Sequence, residues 1–388
     1  MKRNCFRRIG KKWSFALILA IVFLLCQTRV IGGNQGTTQI KPADTTNTRA
    51  LTAKSTGKES GKDKFNPGRM IIEHVVDNHE WHILSAGNFD LTIPLPVILI
   101  SEGKFTVFFS NRFHNPDHSY KQFVLPEEGP NKGKIVTIQQ EKTGSGPKVY
   151  DFSFTKTVLA IFMSCILLIW VFLSVAKRYK TCQNKAPHGL QNLLEPVILF
   201  VRDDIAKSSI GEEKYEKYMP YLLTIFFFIL LNNLMGIIPF FPGGANVTGN
   251  IAVTGIMALC TLIITTINGN KHYWIDIINT PGVPWWLKIP VPLMPVVEFT
   301  GIITKPFVLM VRLFANMTAG HIIVLGFVSI IFIFGQMALA LGLGVSIFSM
   351  AFMIFMDLLE ILVAFIQAYV FTLLSALYFG LATEEPSH

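Results

Sequence analysis

Apolar residues in this chain gather into long runs, and polar residues fill the short gaps between them. Five such runs cover residues 154–176, 220–241, 250–268, 292–334 and 346–382. A helix crossing a bilayer upright needs about 20 apolar residues, which the first three supply. The last two are roughly twice as long as that. They must tilt steeply or lie partly within the membrane plane. The stretch between them, GQMALALGLG, is short and uncharged, so they form an antiparallel hairpin. The pattern predicts an all-α polytopic membrane protein of about five transmembrane helices, with a small β-containing segment before them.

That segment follows two unlike pieces. Residues 1–33 combine a basic start (Lys2, Arg3, Arg7, Arg8, Lys11, Lys12) with a short apolar core from Trp13 to Leu25. This predicts a cleaved signal peptide or an uncleaved N-terminal anchor. Residues 34–67 are rich in Thr, Lys, Gly, Ser and Asn and read as a disordered tether. Residues 68–150 are moderately apolar. LTIPLPVILI, KFTVFFS and KIVTI read as strands, and MIIEHVVDNHEWHIL (70–84) has the spacing of a surface helix. The membrane domain then occupies 151–388.

Composition agrees with the pattern. Of 388 residues, 51% are hydrophobic and 15% charged, with a mean hydropathy of +0.45. Charged residues make up about 25% of ordinary soluble domains. The net charge of +9 is distributed as loop asymmetry, not as a nucleic-acid footprint. Lys177, Arg178, Lys180 and Lys185 follow the first run, with Arg202, Lys207, Lys214 and Lys217 further on, and Lys271 and Lys288 follow the third. The loops after the second and fourth runs carry no charge. Basic loops mark the cytoplasmic side, so the β-containing segment is expected outside and the C-terminus inside. LQNLLEPVILFVRDDIAKSSI, between the first two runs, reads as an amphipathic helix on the cytoplasmic surface. Cys5, Cys26, Cys165, Cys182 and Cys260 have no CxxC spacing and build no disulfide framework in the outer segment. His74, His79, His82, His114 and His118 fit no metal-binding spacing and read as structural or surface residues.

Against this background the run KPFVLMVRLFANMTAGH is anomalous. An arginine at mid-membrane costs about 2.5–3.5 kcal/mol on insertion scales, so Arg312 needs a reason. At 100° per residue, Glu298, Lys305, Arg312 and Asn316 fall within about 40° of one another, whereas His321 lies about 140° away. Asp357, Glu360 and Gln367 share a second stripe, within about 80°, on the last helix. A hairpin centred near residue 339 or 340 pairs residues whose numbers sum to about 679. Arg312 then comes opposite Gln367, and His321 within one turn of both Asp357 and Glu360. Asn316 or Gln367 alone could be interhelical glue. A lone arginine beside a His/Asp/Glu cluster is better read as a titratable path with a fixed charge. A guanidinium keeps its proton, while His and a buried Glu can titrate near neutral pH.

KPFVLMVRLFANMTAGH closely resembles the signature of subunit a of rotary ATP synthases, usually a run like R-L-x-x-N-x-x-A-G-[EH]. The likeness extends over about residues 150–388 and includes NLLEP, LNNLMGIIP and LVAFIQAYVFTLLSALY. It implies that Arg312 is the arginine facing the c-ring carboxylates. Asn316, His321, Glu360 and Gln367 take the outer half-channel positions and Glu298 the inner one, with Asp357 and Lys305 as possible accessories. Many bacterial members carry an acid at the His321 position and a histidine at the Glu360 position; here the two are exchanged. The resemblance also implies the partners: a c-ring, peripheral-stalk b subunits and a catalytic head, all in a bacterial inner membrane. The outer segment and its tether depart from compact members of the family.

No catalytic residue, metal or cofactor is expected, and the chain has no GxxxxGK[ST] phosphate loop of its own. A secondary ion-coupled transporter would also keep polar residues in the membrane. Such proteins usually show an internal repeat of broken helices, and none is visible. A purely structural membrane protein leaves Arg312 unexplained.

Overall fold

A computed structural model describes Gly68 and residues 80–86, 89–113, 119–126, 133–143, 146–147, 149–181, 189–238, 243–278, 293–337 and 339–384. The expected signal segment and tether lie outside these residues. So do His74, His79, His114 and His118, and most of the expected helix over 70–84.

The outer segment is built from short antiparallel strands. β1 (Glu80–Ala86) pairs with β2 (Phe89–Pro94) as a hairpin. Residues 80–84 are therefore strand, not helix. Trp81, His82 and Ile83 suit a pleated surface, and pairing with β2 overrides the helical spacing. LTIPLPVILI divides at Leu95: β2 ends at Pro94 and β3 (Pro96–Ser101) begins at the next proline. β3 lies between β4 (Lys104–Phe109) and β8 (Val149–Asp151). β5 (Ser119–Tyr120), β6 (Phe123–Val124) and β7 (Val136–Thr137) make a third small sheet, and a short helix α1 (Ile138–Thr143) follows. Val97, Leu99, Phe108, Phe113 and Phe123 form the core between them.

Among the described residues, five helices are long and apolar enough to cross a membrane. They are α2 (Lys156–Thr181), α4 (Tyr215–Ile237), α5 (Ile251–Asn268), α7 (Leu293–Met337) and α8 (Leu339–Thr383). α3 (Leu190–Phe200) runs on through a π-helical stretch, Val201–Lys207, to Ile210. It turns Val201, Ile205 and Ile210 inward and leaves Asp203 outside. Arg202 grips Asp203 through two hydrogen bonds of 2.8 and 2.7 Å, which holds that carboxyl below its ordinary pKa.

α7 and α8 each have 45 residues. Such a helix is about 68 Å long, more than twice the thickness of the hydrocarbon core. They pack along each other as the predicted antiparallel hairpin, and α8 also lies against α4 and α5. Phe327 and Phe352, whose ring centroids are 4.3 Å apart, fix the hairpin register in the half nearer its turn. Polar stitches cross the bundle: Tyr221 on α4 bonds Thr261 on α5 at 2.8 Å, and Thr261 reaches Ser375 on α8 at 3.4 Å.

The two ends of the bundle differ in charge. At one end the last carbonyls of α8 find donors they would otherwise lack. Lys214 Nζ and Asn270 Nδ2 donate to Thr383 O at 2.9 and 3.1 Å, and Asn270 N donates to Ala382 O at 2.9 Å. Here α8 passes so close to the segment before α4 that a Cβ on Gly380 would collide with Ser209 O. The other end carries the uncharged loop 243–250, whose Asn250 side chain caps α5 by accepting from Ala252 N at 3.0 Å.

Candidate proton path

Three elements converge on His321. Its Nδ1 lies 2.9 Å from Glu360 Oε1, joining α7 to α8. Its Nε2 lies beside Gly236 on α4, where a Cβ would sit 3.7 Å from Nε2 and 3.7 Å from Ala245 O of the 243–250 loop. Glu360 is buried, and its neighbour Asp357, one turn earlier on α8, is half-buried.

The pair forms because Gly320 precedes His321. A Cβ at Gly320 would stand 2.8 Å from Glu360 Oε1 and 3.2 Å from its Cδ. Any other residue there would push the carboxylate off the imidazole.

Beside this pair is a cluster of polar groups on α4 and its following loop. Thr248 Oγ1 donates to Asn233 Oδ1 at 2.6 Å. Asn232 donates back to Phe228 O, and Asn246 Oδ1 accepts from Gly249 N. Asn232 Oδ1, Asn233 Nδ2, Asn246 Nδ2 and Thr318 Oγ1 are buried polar atoms with no protein partner among the described residues. Buried polar groups of this kind commonly bond to water. The cluster thus offers a polar approach to His321 from the uncharged end.

Arg312 is placed differently. Leu309, Leu313 and Met317 turn into the bundle, while Arg312 and Asn316, beside that buried stripe, are exposed. Gln367 is buried on α8, and no hydrogen bond joins it to Arg312 among the described residues. The His321–Glu360 contact closes within the hairpin, and Arg312 and Asn316 are exposed. A guanidinium on the outer surface of an apolar helix needs a counter-charge from outside the chain.

Towards the basic end lies a cavity of about 20 Å³, room for about one water molecule. Thr261, Thr265, Tyr273, Lys305 and Tyr378 are among the residues that line it. Lys305 Nζ sits 5.6 Å from the centroid of the Tyr378 ring. Tyr273 belongs to the short helix α6 (Lys271–Ile278), outside the spans. Burial first, and then the charge of Glu298, push its phenol above the ordinary pKa, which places Glu298 near this end of the cavity. Of these residues only Lys305 and Glu298 stand out in the sequence. Thr261 and Thr265, four apart on one face of α5, were the available signal for the rest.

Known proteins match this architecture. Residues 158–380 match the family described as the ATP synthase A chain. Residues 70–152 match a family described only as a domain of unknown function. A subunit a of ATP synthase from Prosthecochloris aestuarii is 46% identical over 245 residues, 62% of this chain and 71% of the relative. One from Chloroherpeton thalassium is 42% identical over 246 residues, 62% of this chain and 69% of the relative. One from Myxococcus xanthus is 42% identical over 287 residues, covering 71% of this chain and 88% of the relative. With most of the membrane domain matched, and an arginine-bearing long helix paired to a second, the chain belongs to the ATP synthase subunit a family, the proton-conducting, non-catalytic stator subunit of the F-type complex.

Proposed function

We propose that this subunit carries protons through two half-channels that do not meet, with Arg312 between them and the carboxylates of a c-ring as the moving carriers. The observation that carries this reading is the exposed position of Arg312 on a long apolar helix, turned away from the buried His321–Glu360 pair.

The outer half-channel runs from the 243–250 loop, past Asn232, Asn233 and Asn246, to His321 and Glu360. The imidazole suits the relay because it can take a proton at Nε2, on the loop side, and release one at Nδ1, on the Glu360 side. Asn316 and Gln367 extend this path towards Arg312. A c-ring carboxylate that receives the proton becomes neutral and can turn into lipid without the penalty of a buried charge. The inner half-channel is the cavity at the basic end, with Glu298 as its terminal acid and Lys305 as an accessory. Arg312 favours ionisation of each carboxylate that approaches it and cannot itself pass a proton on. Moving one charge across 100 mV supplies about 2.3 kcal/mol, the drive for rotation.

The basic residues near the Thr383 end support an orientation with that end in the cytoplasm of a bacterial inner membrane and residues 80–151 outside. On this reading the chain contacts a c-ring, while peripheral-stalk b subunits and the catalytic head complete the complex.

The test is passive proton flux through vesicles stripped of the catalytic head. With His321→Ala the flux should fall at least tenfold while the complex remains assembled. Flux at the unsubstituted rate would remove His321 from the path.

A further inference from the structure

The sheet formed by β4, β3 and β8 has apolar residues on both faces, and its outward face has nothing else. In one direction Val97, Leu99 and Phe108 are buried in the core of the outer segment. In the other, Phe105, Val107 and Phe109 of β4 are 67%, 55% and 60% exposed. Register places them opposite Ile100, Ile98 and Pro96 of β3. On the far side of β3 the same face continues with Tyr150, which pairs with Ile100 and is 54% exposed. The pairing does not stop where β8 ends. Phe152 N donates to Ile98 O at 2.9 Å and Phe154 N to Pro96 O at 3.1 Å, so Phe152 and Phe154 complete that row. Every position on this outward face is apolar, and five of them are aromatic.

A sheet with one wet face alternates apolar and polar residues. Here β4 and β8 turn Phe105, Val107, Phe109 and Tyr150 away from the core of that segment and carry Lys104, Thr106 and Asp151 on the core side, so the outward face is not built for water. What covers it follows from where the sheet leads. Hydrogen-bonded pairing persists to Phe154, two residues before α2 begins at Lys156. No flexible linker separates the sheet from the span. α2 in turn exposes Phe162, Ile166 and Trp170, the side chains a spanning helix offers to lipid. The hairpin ahead of the sheet is seated as well: Trp81 and Ile93 join the buried cluster that contains Ala160 and Ile161 of α2. The apolar face is therefore held within two residues of the start of the first span.

We propose that residues 96–109 and 150–154 form a membrane-docking face. It lies on the interfacial region of the leaflet where α2 begins, with Phe105, Val107, Phe109 and Tyr150 among the headgroups and upper acyl chains. Aromatic side chains suit that depth, where one end is apolar and the other wet. This gives the unassigned domain at residues 70–152 a role as an interfacial foot for the subunit. The proposal does not depend on the half-channel reading, because it needs no proton to move.

The test uses the whole ATP synthase complex in vesicles of phosphatidylethanolamine and phosphatidylglycerol. The native cysteines are replaced by serine, and nitroxide labels are placed at F105C, V107C, F109C and, as a reference, K104C. Lipid-soluble oxygen should reach labels 105, 107 and 109 several-fold more readily than a water-soluble nickel chelate, with the order reversed at 104. Ready access by the nickel chelate at 105, 107 and 109 would overturn the proposal in favour of a wet face. Exclusion of both reagents would overturn it in favour of a protein partner. A second measurement needs no substitution. Phospholipid with a photoreactive acyl chain, activated in the unmodified complex, should leave adducts on residues 96–109 as well as on α2. Adducts on α2 alone would contradict the proposal.

Discussion

His321 and Glu360 stand 39 residues apart in the chain and 2.9 Å apart in space, on the two arms of one hairpin. Their contact is buried on the glutamate side, and Nε2 of the imidazole lies beside Gly236 of α4. The contact ties the two side chains together, so they are expected to act as one unit in proton transfer. Glu360→Gln keeps the shape but removes the charge. ATP-driven proton pumping in this variant should slow at least tenfold and its pH profile should move, with the complex still assembled. An unchanged profile at the normal rate would show that Glu360 lies off the path.

Gly320 tests the same contact without touching either titrating group. Alanine there places a methyl 2.8 Å from Glu360 Oε1, and the flexible carboxylate can yield by swinging away. Alanine also favours the helix over glycine by about 1 kcal/mol, so folding is not the expected casualty. Gly320→Ala should therefore assemble in normal amount and pump slowly, with a pH profile shifted like that of Glu360→Gln. Pumping at the normal rate would mean that the pair is not needed in this geometry.

Much of this arrangement was legible in the sequence. The five spans fall within a few residues of the apolar runs, except that α8 starts seven residues before its run. Pairing about a sum near 679 brought His321 to Glu360, because two long apolar helices joined by a short loop have few ways to pack. The direction of Arg312 was not legible. Stripe angles locate it relative to Asn316 but do not say which flank the neighbouring helices α4 and α5 will cover. The inner cavity was hidden for a related reason. Thr261 and Thr265 satisfy their hydroxyls within their own helix, bonding Met257 O and Thr261 O, and read as ordinary span residues. Before the first span, residues 80–84 were misread because their helical spacing competed with a strand partner close by in the chain: β2 begins at Phe89, three residues after β1 ends at Ala86.

The outer segment contributes no side chain to the proton path, so its loss should be felt in stability and not in conduction. A chain keeping residues 1–33 and resuming near Tyr150 should insert and conduct protons. Trp81→Ala makes the same point more gently. Emptying its site beside Ala160 and Ile161 costs about 3 kcal/mol or more. The detergent-solubilised complex should lose the subunit at lower temperature while its pumping rate in the cold is unchanged. A truncated subunit that assembles normally but conducts nothing would give the outer segment a direct part in proton transfer.

Arg312 carries the account. Lysine there keeps a charge but lacks the planar fork and can lose its proton when desolvated. Alanine removes the barrier between the half-channels. The decisive measurement is passive proton leak in head-stripped vesicles, paired with ATP synthesis in intact ones, for Arg312→Lys and Arg312→Ala, with immunoblots confirming subunit a and the c-ring. The account predicts assembled complexes that make no ATP, with a proton leak that rises in the alanine variant. Substantial ATP synthesis by either variant, or loss of the assembled complex in both, would contradict it.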